Sequence, residues 1–87
     1  MDPNKLAEVV KEFGKHENDT GSSPVQIALL TYKIKELTEH LKIHPKDKHS
    51  MRGLVTMVTL RRTHQQYLQS QDRAKYSEVQ AKLGLRN

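Results

Sequence analysis

Eighty-seven residues with a net charge of +5, an apolar fraction of 34% and no cysteine are enough for one small domain without disulfide or thiolate-metal staples. The few aromatics, Phe13, Tyr32, Tyr67 and Tyr76, suit a thin helical bundle rather than a deep core. No run approaches the ~20 apolar residues of a membrane span, and the opening MDPNKLAEVVKEFG has acids and no apolar run, so neither a signal peptide nor a membrane partner is expected.

Residues 3 to 13 place Leu6, Val9, Val10 and Phe13 on one helical stripe. Pro3 fits the first turn and Gly14 the end. Residues 15 to 23, KHENDTGSS, read as a loop of turn formers, with Ser23 as the expected N-cap of the next helix and Pro24 as its first residue. In residues 24 to 43, Ile27, Leu30, Ile34, Leu37 and Leu41 step by three and four. That is a seam for lengthwise packing against a partner. His40 and His44 lie one turn apart, off the seam.

Pro45 disfavours helix at His44, so HPKDKH (44 to 49) is a turn and Ser50 the expected N-cap of a second long helix, 51 to 71. Its apolar residues start on more than one side, then Tyr67 and Leu68 are expected back on the seam. Gly53 costs up to about 1 kcal/mol against alanine, and a close backbone neighbour would explain it. Asp72 can cap a last helix with Tyr76, Val79 and Leu83 inward and Gly84 at its end. The expected fold is all-α and spans residues 1 to 87 as one domain. It is a long antiparallel αα-hairpin with a short N-terminal and a short C-terminal helix packed on it.

The charge is lopsided. Residues 1 to 40 hold five lysines against seven acids, a net of −2; residues 41 to 87 hold ten Lys/Arg against three acids, a net of +7. One-sided positive charge favours a nucleic-acid partner, although a basic soluble domain has the same balance. The corner 37 to 54, LTEHLKIHPKDKHSMRGL, gathers three histidines with Lys42, Lys46, Lys48, Asp47, Ser50 and Arg52. The wide minor groove of RNA shows 2′-hydroxyls and the guanine amino donor. Asp47, acceptor-only, can take that donor, while Ser50 and neutral His40 can each donate and accept. Lysines alongside would hold phosphates. A solvated turn with an Asx-type cap accounts for the same residues.

At the other end, Thr20 and Gly21 can offer a hydroxyl and an amide to phosphate or sugar, with Gln26 nearby, and Tyr67 can stack on a base or simply pack. The His40–His44 pair lacks a third metal ligand and is not HExxH. Asp47, His49 and Ser50 are too crowded for a hydrolase triad. No metal, cofactor or catalytic residue is expected.

The runs NDTGS (18 to 22), VQIALLT (25 to 31), LTEHLKIHPKDKHS (37 to 50), RGL (52 to 54), MV (57 to 58), RR (61 to 62), YL (67 to 68), Asp72 with Tyr76, and LGLR (83 to 86) resemble small-subunit ribosomal protein fifteen of the bacterial type. They cover nearly the whole chain in family order. The resemblance implies a non-enzymatic structural constituent of the small ribosomal subunit, cytoplasmic and on the ribosome, that binds the central domain of small-subunit ribosomal RNA and helps its assembly. It implies His40, Asp47 and Ser50 on a minor-groove element, and Thr20, Gly21, Gln26 and Tyr67 on a three-way junction. The cationic or basic side chains His44, Lys46, Lys48, Arg52, Arg61 and Arg62 complete the expected RNA-binding set. Neighbouring small-subunit proteins, large-subunit ribosomal RNA at an inter-subunit bridge and the protein's own messenger RNA are the further partners implied. A helical protein–protein module is the alternative.

The chain departs from the family's usual pattern at Pro24 (acidic), Lys48 (histidine), Met51 (arginine), His64 and Gln65 (leucines), and Gln69, Ser70 and Gln71 (several cations). The missing leucines are expected to thin the core at the end of the hairpin away from its turn. The missing cations are expected to weaken the junction contact while the minor-groove contact survives.

Overall fold

The structure is a computed structural model and describes residues 3–16 and 18–85; Arg86, the last residue of the LGLR run, lies outside them. Four helices follow in order: α1 (Pro3–Phe13), α2 (Ser23–Ile43), α3 (Lys48–Gln71) and α4 (Arg73–Leu83). The described residues contain no strand. α2 and α3 form the antiparallel hairpin, α1 packs on α2, and α4 packs on both α3 and α2. Among the described residues, no helix is long and apolar enough to cross a membrane.

Each terminus has a local cause, and two differ from the sequence expectation. α3 is capped by Asp47, whose side chain accepts the Ser50 amide. Ser50 is therefore the third helical residue and not the cap. Both residues can cap, and the one that reaches a free amide three residues on takes the position. α2 is capped by Ser22 and not Ser23, with Pro24 in its first turn. The Ser22 hydroxyl makes no cap bond; the Asp19 carboxylate takes the Ser22 amide instead. α4 starts as expected, with Asp72 accepting the Lys75 amide, and ends on Gly84 at φ 68°, a left-handed value that suits glycine.

The core lies at one end of the hairpin. Val9, Val10 and Phe13 of α1 meet Val25, Ile27, Ala28 and Leu29 of α2, Leu68 of α3, and Tyr76 and Val79 of α4. Toward the turn only α2 and α3 remain. Two helices bury one stripe each, so Ile34, Leu37, Leu41, Leu54, Met57 and Val58 are half-buried, and Met51, Val55 and Leu60 are exposed. The seam of α2 is thus dry at Ile27 and Leu30 and wet beyond. Leu6, expected inward, sits at the rim.

At position 65 a polar pair stands where the leucine is missing. The Gln65 side-chain amide donates to Gln80 Oε1 at 2.9 Å, and Gln80 is buried. A paired amide replaces an apolar contact at that junction of α3 and α4 without leaving that carbonyl oxygen unsatisfied. The thin end is the turn end, where no third helix reaches.

Gly53 has no close backbone neighbour across the hairpin. A Cβ there would meet only Leu37 Cδ2 at 3.7 Å, an ordinary contact. Gly53→Ala is therefore expected to stabilise the chain by up to about 1 kcal/mol, seen as a higher urea midpoint. Gly14 is different: a Cβ there would stand 2.5 Å from the Val10 carbonyl oxygen and 3.2 Å from Asp19 Cβ, so the close turn after α1 requires glycine.

Candidate nucleic-acid interface

Two corners at opposite ends of α2 carry the candidate residues. Its 21 residues separate them by roughly 30 Å.

The first corner is the α2–α3 turn. His40 Nε2 lies 2.9 Å from Asp47 Oδ2. The Ser50 hydroxyl donates to the same oxygen at 2.6 Å, and the Ser50 amide donates to Asp47 Oδ1 at 3.0 Å. The three side chains expected to act together are thus bonded to one another and half-buried. The Ser50 hydroxyl first, then the Ser50 amide and His40, hold the Asp47 carboxyl well below the usual carboxylate range. An ionised carboxylate only accepts. His40 therefore donates through Nε2, and Nδ1 is an acceptor when the ring is neutral. Ser50 spends its proton on Asp47 and keeps only lone pairs. His40 and Ser50 direct their donors at Asp47, so that with neutral His40 the three side chains offer a ligand an array of acceptors.

Around this array Lys46, Lys48 and Arg52 are exposed cations, and His44 is exposed with its ring centroid 4.8 Å from that of His40. No group of three or more potential metal ligands forms among the described residues. Met51 and Val55 lie beside Pro45 as an exposed apolar strip.

The second corner is the α1–α2 loop. Thr20 and Gly21 are exposed. The Gln26 side-chain amide donates to the Thr20 carbonyl oxygen, so Gln26 braces the loop. Tyr67 is 60% exposed while its neighbour Leu68 is 6% exposed. Adjacent helical residues point about 100° apart, so only Leu68 is on the seam. Packing, one of the two roles open to Tyr67, is not its role here. Tyr67 flanks a groove with Gly21, Ser22, Lys15 and Lys75. Those two lysines supply cations where positions 69 to 71 do not.

The two arginines divide. Arg62 is exposed. Arg61 turns toward α2, its Nη1 donating to Thr31 Oγ1 at 3.3 Å, with Nε buried and unpartnered among the described residues. Burial lowers the Arg61 pKa, and its guanidinium serves the helix pair at least as much as any ligand.

Asp19 was visible in the sequence only as a turn former. It is buried, accepts the Lys15 amide at 2.9 Å and the Ser22 amide at 3.0 Å, and its pKa is lowered to about 2, first by the Lys15 amide and then by Ser22. The signal that could have found it is the spacing Asp–x–x–Ser, present as DTGS at 19 to 22 and DKHS at 47 to 50.

With the geometry in place, comparison with known proteins is specific. A family model described as Ribosomal protein S15 matches residues 6–86. The chain is 57% identical over 86 residues to the small ribosomal subunit protein uS15 of Thermotoga petrophila, covering 99% of this chain and 96% of that protein, and equally similar to that of Thermotoga maritima. It is 56% identical over 80 residues to the protein of the same name from Fusobacterium nucleatum subsp. nucleatum, covering 92% of this chain and 94% of the relative. By their names these relatives are proteins of the small ribosomal subunit. A family match spanning nearly the whole chain, on four helices in the expected order, shows that this chain belongs to the ribosomal protein S15 family.

Proposed function

We propose that the chain acts as a two-point clamp on small-subunit ribosomal RNA during assembly. The whole chain is one RNA-binding unit on the ribosome. The α2–α3 corner reads a minor-groove element and the α1–α2 corner grips a three-way junction. The rigid hairpin fixes their relative orientation. Neighbouring small-subunit proteins, large-subunit RNA at a subunit bridge and the protein's own message are further partners of the same surfaces.

The observation that carries this reading is the acceptor array of His40, Asp47 and Ser50. A minor groove offers the guanine amino group and 2′-hydroxyls as donors. Three acceptors held by one another meet those donors without a further ordering cost. Lys46, Lys48 and Arg52 hold the flanking phosphates and set position rather than sequence.

The test is a salt titration of binding to an RNA three-way junction carrying the minor-groove element. A log–log slope of several units is expected. Replacing Lys46 or Lys48 with glutamine lowers that slope by about one unit each and leaves base preference unchanged. The exposed strip of Met51 and Val55 favours a second reading, a helical protein–protein module. That reading requires affinity that barely responds to salt.

A further inference from the structure

We propose that Asp19 is the positioning residue of the junction corner, the counterpart of Asp47 at the other end of α2. The proposal rests on the clamp reading above. Its carboxylate ties the two ends of the loop together. Oδ2 takes the Lys15 amide just after α1, and Oδ1 takes the Ser22 amide at the cap of α2. The Asp19 amide in turn donates to the His16 carbonyl oxygen at 3.1 Å. Gly14 admits the Asp19 side chain, because no Cβ fits between it and Val10. His16 is the titratable group whose charge acts on Asp19.

Between Asp19 and Ser22 lies the exposed Thr20–Gly21 step, and Gln26 holds its Thr20 carbonyl from the helix side. Among the described residues nothing lies within 4 Å of a Cβ at Gly21, so their packing does not hold the step. Its conformation is inherited from Asp19. Asp19 itself is 8% exposed and does not reach a ligand. It acts through Thr20 and Gly21, by paying their ordering before RNA arrives.

The experiment uses the full chain and two separate RNAs, a three-way junction without the minor-groove element and a hairpin carrying that element alone. Asp19→Ala is expected to weaken junction binding about tenfold or more, part of the ordering cost of the two-residue step, and to leave hairpin binding unchanged. Asp19→Asn keeps one acceptor, serves if the alanine variant fails to fold, and gives a smaller loss on the junction alone. A double-mutant cycle with Gln26→Ala separates positioning from general stability. Coupled losses, smaller than the sum of the singles, are expected because both residues act on one loop. Equal losses on the two RNAs, additive losses, or an unchanged junction affinity each overturn the proposal. If the parent chain binds the hairpin and not the junction, the clamp reading fails along with it. If the parent binds both and Asp19→Asn and Asp19→Ala bind as the parent does, only the role of Asp19 fails.

Discussion

Asp47→Asn is expected to weaken binding to a minor-groove RNA element by about ten- to a hundredfold while leaving the helical signal and thermal midpoint close to those of the parent. Asparagine is as good an N-cap as aspartate, and its oxygen can still take the Ser50 amide. Its NH₂ then faces His40 Nε2 and the Ser50 hydroxyl, both of which donate to Asp47 in the parent. His40 must change tautomer and Ser50 must turn its proton outward, so the corner presents donors where it presented acceptors. Donors of the groove then meet donors of the protein. Asp47→Ala loses the cap as well and is expected to lower both stability and affinity.

The contrast with the surrounding lysines makes the argument testable residue by residue. A lysine change costs salt-dependent affinity for every sequence, whereas Asp47→Asn costs affinity for the guanine-containing element at every salt concentration and relaxes base preference. Filter binding or fluorescence anisotropy at three salt concentrations decides it. Affinity unchanged by Asp47→Asn across that range would remove the α2–α3 corner from the binding site.

The second large effect concerns two neighbours in sequence. Leu68→Ala is expected to cost 2–5 kcal/mol, roughly, because Leu68 is 6% exposed and joins the cluster in which all four helices meet. Against a total of about 5–15 kcal/mol, that lowers the thermal midpoint by roughly 10 °C or more. Tyr67→Ala is expected to stay within about 0.5 kcal/mol of the parent, since the ring is 60% exposed. Its loss appears on RNA instead, as roughly five- to a hundredfold weaker junction binding if one base stacks on the ring. Thermal melts and junction binding of the two variants should therefore rank them in opposite order. A Tyr67→Ala chain that melts like Leu68→Ala would mean that Tyr67 is a core residue.

These outcomes separate what is local from what is not. Helix content, number and order were legible in the residues, because a three-and-four apolar step, a proline after His44 and a glycine at position 84 act within a few residues of themselves. The lopsided charge and the crowding of His40, Asp47 and Ser50 into one turn were legible for the same reason. Local rules could not choose between Asp47 and Ser50 as cap, since both satisfy them. Nor could they tell that Gln65 would pair with Gln80, fifteen residues away, or that Arg61 would turn to Thr31, thirty residues away.

The amino-acid sequence by itself determined four helices and which of the connections between them hold the polar residues. Only the tertiary structure decided which end of the hairpin is dry, because α1 and α4 cover it at one end and leave the turn to two helices alone. It also decided the hydrogen-bonding sense of the α2–α3 corner. His40 and Asp47 approach only when the turn closes, and an ionised Asp47 then orients both neighbouring protons inward. That is how His40 and Ser50, each able to donate or accept, join Asp47 as acceptors toward the outside.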